Sequence, residues 1–444
     1  MIGAGPCGLG AALGLAATIP FSDWQLVESS PVAGGLSGSV VDPAGFTWDF
    51  GGHVTFSRDN QFLEIMTMLL GECGWNRLQR YAWAIIGREW VEYPVQQHWP
   101  HHRAPLPETS SGGTLQDWAL SQLGSEVTEA FFRPYNEKLW RTPLDQLGSQ
   151  WVQDRVARPA RRSGRPWGPN AQFWYPTMGG AGAPWRRLAE QLKHAGAQIR
   201  YGCTVTAIDL QRKTALLDDK SEISFGMLIS TMPLDRLVKT ASAPSSVRAL
   251  VRQLIHTRVT VVGIGLEGAP PTHLPKFTWL YFPDADVPFY RLSQLSAYAA
   301  TNTPGPTFWS LLAECSSEPT ADRTVTPGDV LGTLYRLGIV GTNDRHVSAW
   351  HTDLSYGYPI PTPTRDTTLG ELLGWFHDRG CFSRGRFGDW AYETSGQDQS
   401  FQKGLTTALR VAGSDLLTAT RAIPPLLQSI STTPPVVSHR GRSL

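Results

Sequence analysis

Glycines near the start of the chain have the spacing of a turn that binds a dinucleotide. Gly3, Gly5 and Gly8 fit the pattern G-x-G-x-x-G, and the acid Glu28 follows about 20 residues later, where such proteins place one. In a βαβ unit these glycines let backbone N–H groups approach a pyrophosphate, and the acid accepts a hydrogen bond from a ribose hydroxyl. The N-terminus of the next helix completes the anion site. The alternative is a glycine-rich turn without a ligand, which the correctly spaced acid disfavours.

Two further glycine pairs follow within the first part of the chain. Gly34-Gly35 comes shortly after Glu28, and Gly51-Gly52 precedes His53. Glycine is the residue that lets the main chain come closest to a bound molecule, because it has no Cβ. The repeated pairs therefore indicate a large, flat ligand, and they favour a flavin dinucleotide over a nicotinamide dinucleotide.

The sequence on either side of this turn predicts the helices and strands that position it. Residues 9–17 are apolar and predict a helix, and residues 24–27 predict a strand. Only Met1 and Ile2 precede Gly3, so the first strand is expected to be short, and a truncated or misassigned start is one explanation. Residues 227–230 are expected to return to the same sheet as a buried strand. Two helices are also expected, at 184–196 and 400–411.

The middle of the chain predicts a different architecture. Residues 60–165 are expected to be largely helical, with a strand-like stretch at 80–91 and a helix opened by a capping box at Thr114 and Asp117. That helix is expected to stop near Gly124, and a second one to cover 125–132. From residue 257 the pattern changes to separate strand-like runs, which predict an antiparallel sheet. These runs are 257–266, 277–283, 307–314 and 346–352.

The predicted fold class is α/β: a Rossmann-like FAD-binding domain with a helical insertion domain and an antiparallel β-sheet domain. The chain is long enough for several domains, at 444 residues. The expected boundaries are 1–59, 170–240 and 378–415 for the FAD-binding domain, 60–169 for the mostly helical substrate domain, 241–377 for the sheet domain, and 416–444 for a partly disordered tail.

Composition excludes several classes of partner. The formal net charge is +1 and no basic run is present, so a nucleic-acid partner is not expected. No apolar stretch approaches the ~20 residues of a membrane span. The five cysteines are scattered, which indicates reduced thiols in a cytoplasmic protein with neither disulfides nor a zinc site. His98, His101 and His102 are interpreted as a polar loop, and no metal is expected.

Arg155, Arg291 and Arg386 stand out in a chain with few charged residues, although any single arginine is ordinarily a solvated surface residue. They lie within or near a series of motifs. In their order along the chain, these motifs resemble those of the UDP-galactopyranose mutases, above all the eukaryotic-type branch, within the FAD amine oxidase and protoporphyrinogen oxidase group. The resemblance runs from residue 3 to about residue 410. Beyond the start of the chain its motifs are GGHVTFS at 51–57, RPYNEKLW at 133–140, WLYFP at 279–283, PFYR at 288–291, GYP at 357–359 and SRGRFG at 383–388.

The resemblance implies roles for individual residues. Arg155 and Arg291 match the pair that holds the diphosphate of a sugar nucleotide, and His53, with Phe56, matches a loop over the flavin ring. Planar guanidinium groups bind phosphate oxygens bidentately and stay charged. The implied substrate-binding residues are Tyr281, Tyr358 and Tyr392 at the diphosphate, Asn136, Trp140 and Trp279 near the sugar and nucleoside, and Tyr93 and Gln96 at the nucleobase. Val95 stands where the family has an aromatic residue, and Gly396 where it has Asn, so the sugar or nucleotide preference is left open.

The same resemblance implies two cofactors. FAD, active in its reduced form, would be bound by Gly3, Gly5, Gly8, Glu28, Gly34, Gly35, Leu36, Ser37, Gly52, Val205, Gln397 and Ser400. NADPH, as the reductant, would be held by Arg80 and Arg386.

The implied activity is a flavin-dependent mutase that interconverts UDP-galactopyranose and UDP-galactofuranose through a reduced-flavin N5 sugar adduct, with no net redox change. Such a product serves cell wall and glycoconjugate biosynthesis. Three alternatives stay open: a mutase for another NDP-hexose, an amine oxidase-like oxidoreductase, and an inactive flavin or nucleotide binder. The expected partner is a nucleotide sugar, and the protein is either a monomer or a homo-oligomer.

Overall fold

The computed structural model describes residues 1–99, 113–152, 155–156, 171–341, 344–394 and 396–428. Its α-helices are α1 (Pro6–Ala16), α2 (Asn60–Leu70), α3 (Val95–His98), α4 (Leu115–Val127), α5 (Arg133–Trp140), α6 (Ala183–His194), α7 (Leu234–Thr240), α8 (Ser245–Leu250), α9 (Pro327–Arg336), α10 (Arg365–His377), α11 (Gln397–Val411) and α12 (Leu416–Gln428). Its strands are β1 (Gln25–Val27), β2 (Ser39–Val41), β3 (Thr47–Asp49), β4 (Trp75–Gln79), β5 (Ala82–Ile86), β6 (Glu89–Glu92), β7 (Gln172–Pro176), β8 (Gln198–Arg200), β9 (Val205–Asp209), β10 (Thr214–Leu217), β11 (Glu222–Ser224), β12 (Leu228–Ser230), β13 (Arg258–Glu267), β14 (Trp279–Tyr281), β15 (Arg291–Ser293), β16 (Phe308–Ser317), β17 (His346–Leu354) and β18 (Cys381–Ser383). The predicted α/β class is confirmed.

A parallel sheet carries the glycine turn. β1 pairs with β8, β12 pairs with β18, and Ile2 joins the two pairs through parallel bridges to Val27 and Ser230. The amide of Gly3 donates to the carbonyl of Val27 at 2.8 Å, so the turn begins where this very short strand ends. Ile2 therefore takes the central position of the sheet, and the expected return of residues 227–230 is confirmed by β12.

The first helix of this body packs unusually closely on α11. A Cβ on Gly10 would lie 2.2 Å from the carbonyl oxygen of Phe401, and one on Gly404 would lie 1.8 Å from that of Cys7. The two backbones are thus in direct contact, which only glycine at these positions permits. This contact brings the start of α11, residues 397–400, beside the glycine turn, although the two segments are far apart in sequence.

A seven-stranded sheet forms the second body, in the order β17-β13-β16-β15-β14-β5-β6. Its strands pair antiparallel except β14 and β5, which are parallel. The strand-like runs expected from residue 257 onwards are confirmed by β13, β14, β16 and β17. Within the segment expected to be largely helical, β4 pairs with β7, whereas β5 and β6 confirm the strand-like stretch expected at 80–91 and extend this sheet. The reason is that the apolar strand β5 gains hydrogen-bonded neighbours on both sides, β14 and β6.

The remaining expectations for the helical segment are partly met. The capping box at Thr114 and Asp117 opens α4 as predicted, and Gly124, with φ +75° and ψ 164°, breaks the helical backbone where the stop was predicted. A π-helical turn then leads across Pro134 into α5, which ends at Trp140. The helix predicted at 125–132 does not end at residue 132, because the π-helical turn, with its wider hydrogen bonding, carries the helical backbone past Pro134 without a break.

The C-terminal tail begins with a helix. α12 covers residues 416–428, and Ala419, Ile423 and Leu427 are buried in the core that also contains α2 and α11. The end of the tail, predicted to be disordered, lies outside the described residues. Within the described part, no helix is long and apolar enough to cross a bilayer.

Candidate active site

A cavity of about 1450 Å³ lies between the parallel sheet and the seven-stranded sheet. Segments that are far apart in sequence meet around it: the glycine turn, the residues after His53, the start of β15 and the start of α11. The predicted site residues that line it are Gly3, Gly5, Glu28, Gly35, Leu36, Ser37, Gly52, His53, Arg155, Val205, Arg291, Tyr358, Arg386, Tyr392, Gln397 and Ser400. Its volume exceeds the usual range for a single small-molecule site, so it has room for a cofactor and a substrate together.

The glycine turn forms one end of this cavity. Gly3 has φ +96°, and a Cβ on Gly8 would lie 1.8 Å from the carbonyl oxygen of Gly3. A Cβ on Gly35, whose φ is +53°, would lie 3.0 Å from the Cα of Gly5. The two glycine segments therefore touch backbone to backbone, and the predicted approach of both to a ligand stays a prediction.

The helix that follows the turn presents an anion site. α1 begins at Pro6 after Gly5, no side chain caps its N-terminus, and its first turn contains no acid. The first N–H groups of a helix have no partner within the helix and carry partial positive charge. Beside them, buried Glu28 accepts hydrogen bonds from the amides of Ala4 at 2.6 Å and Ser30 at 2.7 Å, which fix its carboxylate at the cavity wall. These groups fit a dinucleotide: amides for a pyrophosphate and an oriented acid for a ribose.

Arg291 lies at the other end of the cavity and is held by a buried acid. Its Nε and Nη2 donate to Glu314 at 2.5 Å and 2.7 Å, across neighbouring strands β15 and β16. Burial by itself raises the pKa of Glu314, but the charge and hydrogen bonds of Arg291 outweigh it and hold that pKa below its ordinary value. The pKa of Arg291 lies well above its ordinary value despite burial, because of Glu314. The pair is thus ionised, and Arg291 is fixed in place.

Glu314 was not predicted, although the sequence contained a signal for it. It is the one acid within the apolar strand β16, and a charge in a buried strand requires a partner. Glu314 also accepts from the hydroxyl of Tyr290 at 3.1 Å, and that hydroxyl lies 3.0 Å from the hydroxyl of Tyr358. Hydrogen bonds therefore connect the buried carboxylate of Glu314, through the hydroxyl of Tyr290, to Tyr358 at the cavity wall.

Arg155 reaches the cavity from another direction and is held more loosely. Its Nη2 donates to the backbone carbonyl of Glu393 at 2.7 Å and to Gln399 at 3.3 Å, and its guanidinium lies over the ring of Tyr392. Glu393 is itself fixed by buried Arg365, which donates to both carboxylate oxygens at 3.0 Å and 2.7 Å. Arg365 was also missed, because nothing near it in sequence marks it as buried.

His53 lines the cavity as a neutral ring. Burial is the largest cause that lowers its pKa to about 4; the positive charges of Arg386 and Arg291 act in the same direction, and Glu314 opposes them. Its Nδ1 is buried, and the described residues supply no hydrogen-bond partner to it. A neutral imidazole at this position can accept or donate one proton, but it adds no charge to the site.

Several predicted substrate residues lie behind the cavity wall. The ring of Tyr93 lies 4.6 Å from that of Tyr281, and the guanidinium of Arg80 lies over Tyr93. Trp140 is fully buried, and its ring contacts Tyr392 at 4.8 Å. The predicted residues that are absent from the cavity lining are Gly8, Gly34, Arg80, Tyr93, Gln96, Asn136, Trp140, Trp279 and Tyr281. Arg80 and Arg386, predicted to bind NADPH together, are therefore not brought to the same wall, and their joint role stays a prediction.

Within the described residues, the cysteines and histidines form no metal site. All five cysteines are free, and Cys7, Cys315 and Cys381 are buried. Among the residues that the structure describes, no group of three or more His, Cys, Asp and Glu side chains could hold a metal. Of the predicted polar loop, His101 and His102 lie outside the described residues.

Comparison with known proteins identifies a matching sequence family and several structures with a similar fold. The family described as flavin containing amine oxidoreductase matches residues 92–363. The crystal structure of a reduced UDP-galactopyranose mutase superposes with a TM-score of 0.86 and 33% sequence identity, covering 96% of each chain. Cyclohexylamine oxidase from Brevibacterium oxydans IH-35A has a TM-score of 0.67 and 15% identity, over 93% of this chain and 98% of its own. A fatty acid isomerase from P. acnes has a TM-score of 0.64 and 15% identity, over 92% and 97%. The last two share the fold alone.

Proposed function

Because the chain belongs to the UDP-galactopyranose mutase family, within the flavin-containing amine oxidoreductases, we propose that it is a flavin-dependent mutase. It interconverts UDP-galactopyranose and UDP-galactofuranose without net redox change. The observation that carries the proposal is the composition of one cavity: a glycine turn suited to a dinucleotide at one end, and Arg155 and Arg291 at the other. An ordinary amine oxidase has no need of two arginines for a leaving diphosphate.

The residues present fit FAD. The glycine turn, the N-terminus of α1 and Glu28 would hold its pyrophosphate and ribose, and Gln397 and Ser400 would contact it from α11. When bound in its reduced form, the flavin supplies the nucleophile for the anomeric carbon of the sugar, which explains a requirement for reduction in a reaction without net redox.

The arginines act on the group that leaves. As the bond between sugar and diphosphate breaks, negative charge builds up on the diphosphate oxygens, and preorganised cations stabilise that charge. Arg291 is fixed by Glu314, so it does not have to be oriented during the reaction. Both hydrogen bonds of Arg155 use Nη2, and among the described residues its Nε and Nη1 have no partner, so these nitrogens can donate to the diphosphate.

Two features favour a mutase for another NDP-hexose as the second candidate. Val95, where the family has an aromatic residue, is fully buried and cannot stack on a base at the cavity. Gly396 lines the cavity immediately before α11 and provides no side chain where the family has Asn. Both changes affect recognition of the base or sugar and leave the chemistry of the diphosphate unchanged.

The test uses the purified FAD-loaded protein, reduced with dithionite or with NADPH. UDP-galactofuranose and a panel of other NDP-hexoses are supplied, and the ratio of furanose to pyranose is followed by chromatography. Isomerisation of UDP-galactofuranose only by the reduced protein supports the proposal, and a faster reaction of another NDP-hexose selects the second candidate. Equal conversion by the oxidised protein, or oxidation of an amine with stoichiometric uptake of oxygen, would sink it. Comparison of the two reductants also tests NADPH, for which Arg386 is the candidate ligand.

A further inference from the structure

The amide of Gln397 lies between two partners that fix its orientation. Its Oε1 accepts a hydrogen bond from Nε1 of Trp185 at 2.7 Å, and its Nε2 donates to the carbonyl oxygen of Val54 at 3.1 Å. The two ends of a glutamine amide have similar shapes, so their assignment rests on the partners. An indole N–H can only donate and a carbonyl oxygen can only accept, so both partners require the same orientation.

Trp185 takes its own position from the protein core. It lies on α6 and is fully buried, and its ring contacts those of Phe62 at 6.3 Å and Phe401 at 6.0 Å. A close-packed core leaves such a ring no room to rotate. Gln397, in contrast, is the first residue of α11 and lines the cavity. Because the indole cannot move, its N–H holds the side chain of Gln397 in one orientation at the cavity wall.

The orientation determines what Gln397 offers to a bound molecule. Nε2 carries two hydrogens, one of which is used by Val54, and the described residues provide no acceptor for the other. We propose that Trp185 is a positioning residue that locks this amide, so that Gln397 presents an N–H donor to the bound flavin and holds the His53 loop, residues 53–59, through Val54. The inference rests on the proposed function, because it requires that FAD binds in the cavity. It implies that the flavin atom beside Gln397 accepts a hydrogen bond.

Other contacts hold the His53 loop independently of this amide. Ser57 donates to Asp398 at 2.8 Å, and Gln402 donates to Asp59 at 2.6 Å. Because both contacts also come from α11, the loop stays attached when the indole N–H is removed. Loss of that N–H then frees the amide to turn over, with its acceptor where its donor had been, while the fold is kept.

The first experiment compares Trp185→Phe with Trp24→Phe in protein stripped of FAD. Trp24 is also buried, but its Nε1 has no hydrogen-bond partner among the described residues, so it controls for loss of ring volume. FAD is titrated onto each protein, and binding is followed by the change in flavin fluorescence. Trp185→Phe is expected to weaken FAD binding about 3- to 10-fold, as for one lost hydrogen bond, and to shift the visible flavin spectrum, while Trp24→Phe stays within about twofold. Equal effects of the two variants, or none for Trp185→Phe, overturn the proposal.

The second experiment uses Gln397→Glu, which leaves the core untouched. A carboxylate still accepts from Trp185, but when ionised it cannot donate to Val54 or to the flavin, whereas a protonated carboxyl can. FAD binding by this variant is therefore expected to be weak at neutral pH and to recover as the pH falls towards 5, relative to the wild type at the same pH. If the FAD affinity of the variant relative to that of the wild type does not change with pH, the locked orientation of Gln397 is contradicted. Failure of the wild-type protein to bind FAD at all would instead sink the proposed function.

Discussion

The two ends of the cavity are built in different ways. At the dinucleotide end, the glycine turn and Gly34-Gly35 shape the site with backbone, and all of these residues lie within the first 35 of the chain. At the other end, which we call the arginine end, Arg155, Arg291, Tyr358 and Arg386 come from segments spread over more than half the sequence. The first end is specified by local spacing, and the second by how distant segments meet.

The difference predicts how each end fails. A side chain added to the glycine turn collides with main chain that cannot rotate away. A charge removed from the arginine end leaves its partner buried without compensation, and the cost of an unpaired buried charge is larger than the value of the pair itself. Substitutions at the dinucleotide end are therefore expected to disrupt the site through added side-chain volume. Substitutions at the arginine end are expected to disrupt it through the loss of a charge.

The largest effect is expected at Arg291. Arg291→Ala should lower turnover by about 100-fold or more, as for loss of a preorganised charge donor. It should also lower the free energy of unfolding by about 3–5 kcal/mol, because Glu314 is left buried and unpaired. Steady-state kinetics of the reduced protein and denaturant unfolding measure the two quantities.

Arg155 provides the matched control for that pair of measurements. Arg155→Ala should also reduce turnover, but it should change the free energy of unfolding by less than about 1 kcal/mol, since it loses only two hydrogen bonds to partners that water can reach. The double variant Arg291→Met, Glu314→Gln should recover stability and not turnover. Wild-type turnover of Arg291→Ala would show that the wrong arginine has been assigned to the diphosphate.

An intermediate effect is expected at the glycine turn. In Gly8→Ala the new Cβ would overlap the carbonyl oxygen of Gly3 at 1.8 Å, so the turn must shift. FAD binding should weaken about 10- to 100-fold, in line with an overpacking cost of ~1–3 kcal/mol. Gly374→Ala is the control, because nothing lies within 4 Å of its Cβ. FAD titration of Gly8→Ala that matches this control would contradict a backbone-built site.

The smallest effect concerns the pH dependence of His53. With its pKa lowered to about 4, the ring should stay neutral between pH 5 and pH 8, and its ionisation should change turnover by less than about twofold in that range. Because its pKa is about 6.5 in the unfolded chain, the unfolded state binds more protons, and stability should fall as pH drops from about 6.5 to about 4. NMR titration of the labelled ring measures the pKa, and His53→Asn should remove this part of the stability slope. An inflection from His53 near pH 6.5 would show a more solvated ring.

Local patterns predicted the backbone of the dinucleotide end, although Gly8 and Gly34 do not line the cavity and the binding roles stay predictions. The glycines, Glu28 and the return of residues 227–230 to the sheet follow from spacing and apolar patterns, which act over a few residues. The antiparallel strands from residue 257 onwards were predicted for the same reason. The predicted helix end at residue 132 was wrong, because a π-helical turn before Pro134 lets the helical backbone continue into α5.

The tertiary structure decided the arginine end. Resemblance identified Arg155 and Arg291, but their partners Glu393 and Glu314 come from other segments, and no local pattern connects them. The same holds for the pairing of β5 with β14, which lie far apart in the sequence, and for Trp185, which reaches Gln397 across the core. Local spacing fixes which backbone shapes are allowed, so the sequence determined the glycine turn by itself. Which charges and amides face each other depends on contacts between distant segments, which exist only once the chain has folded.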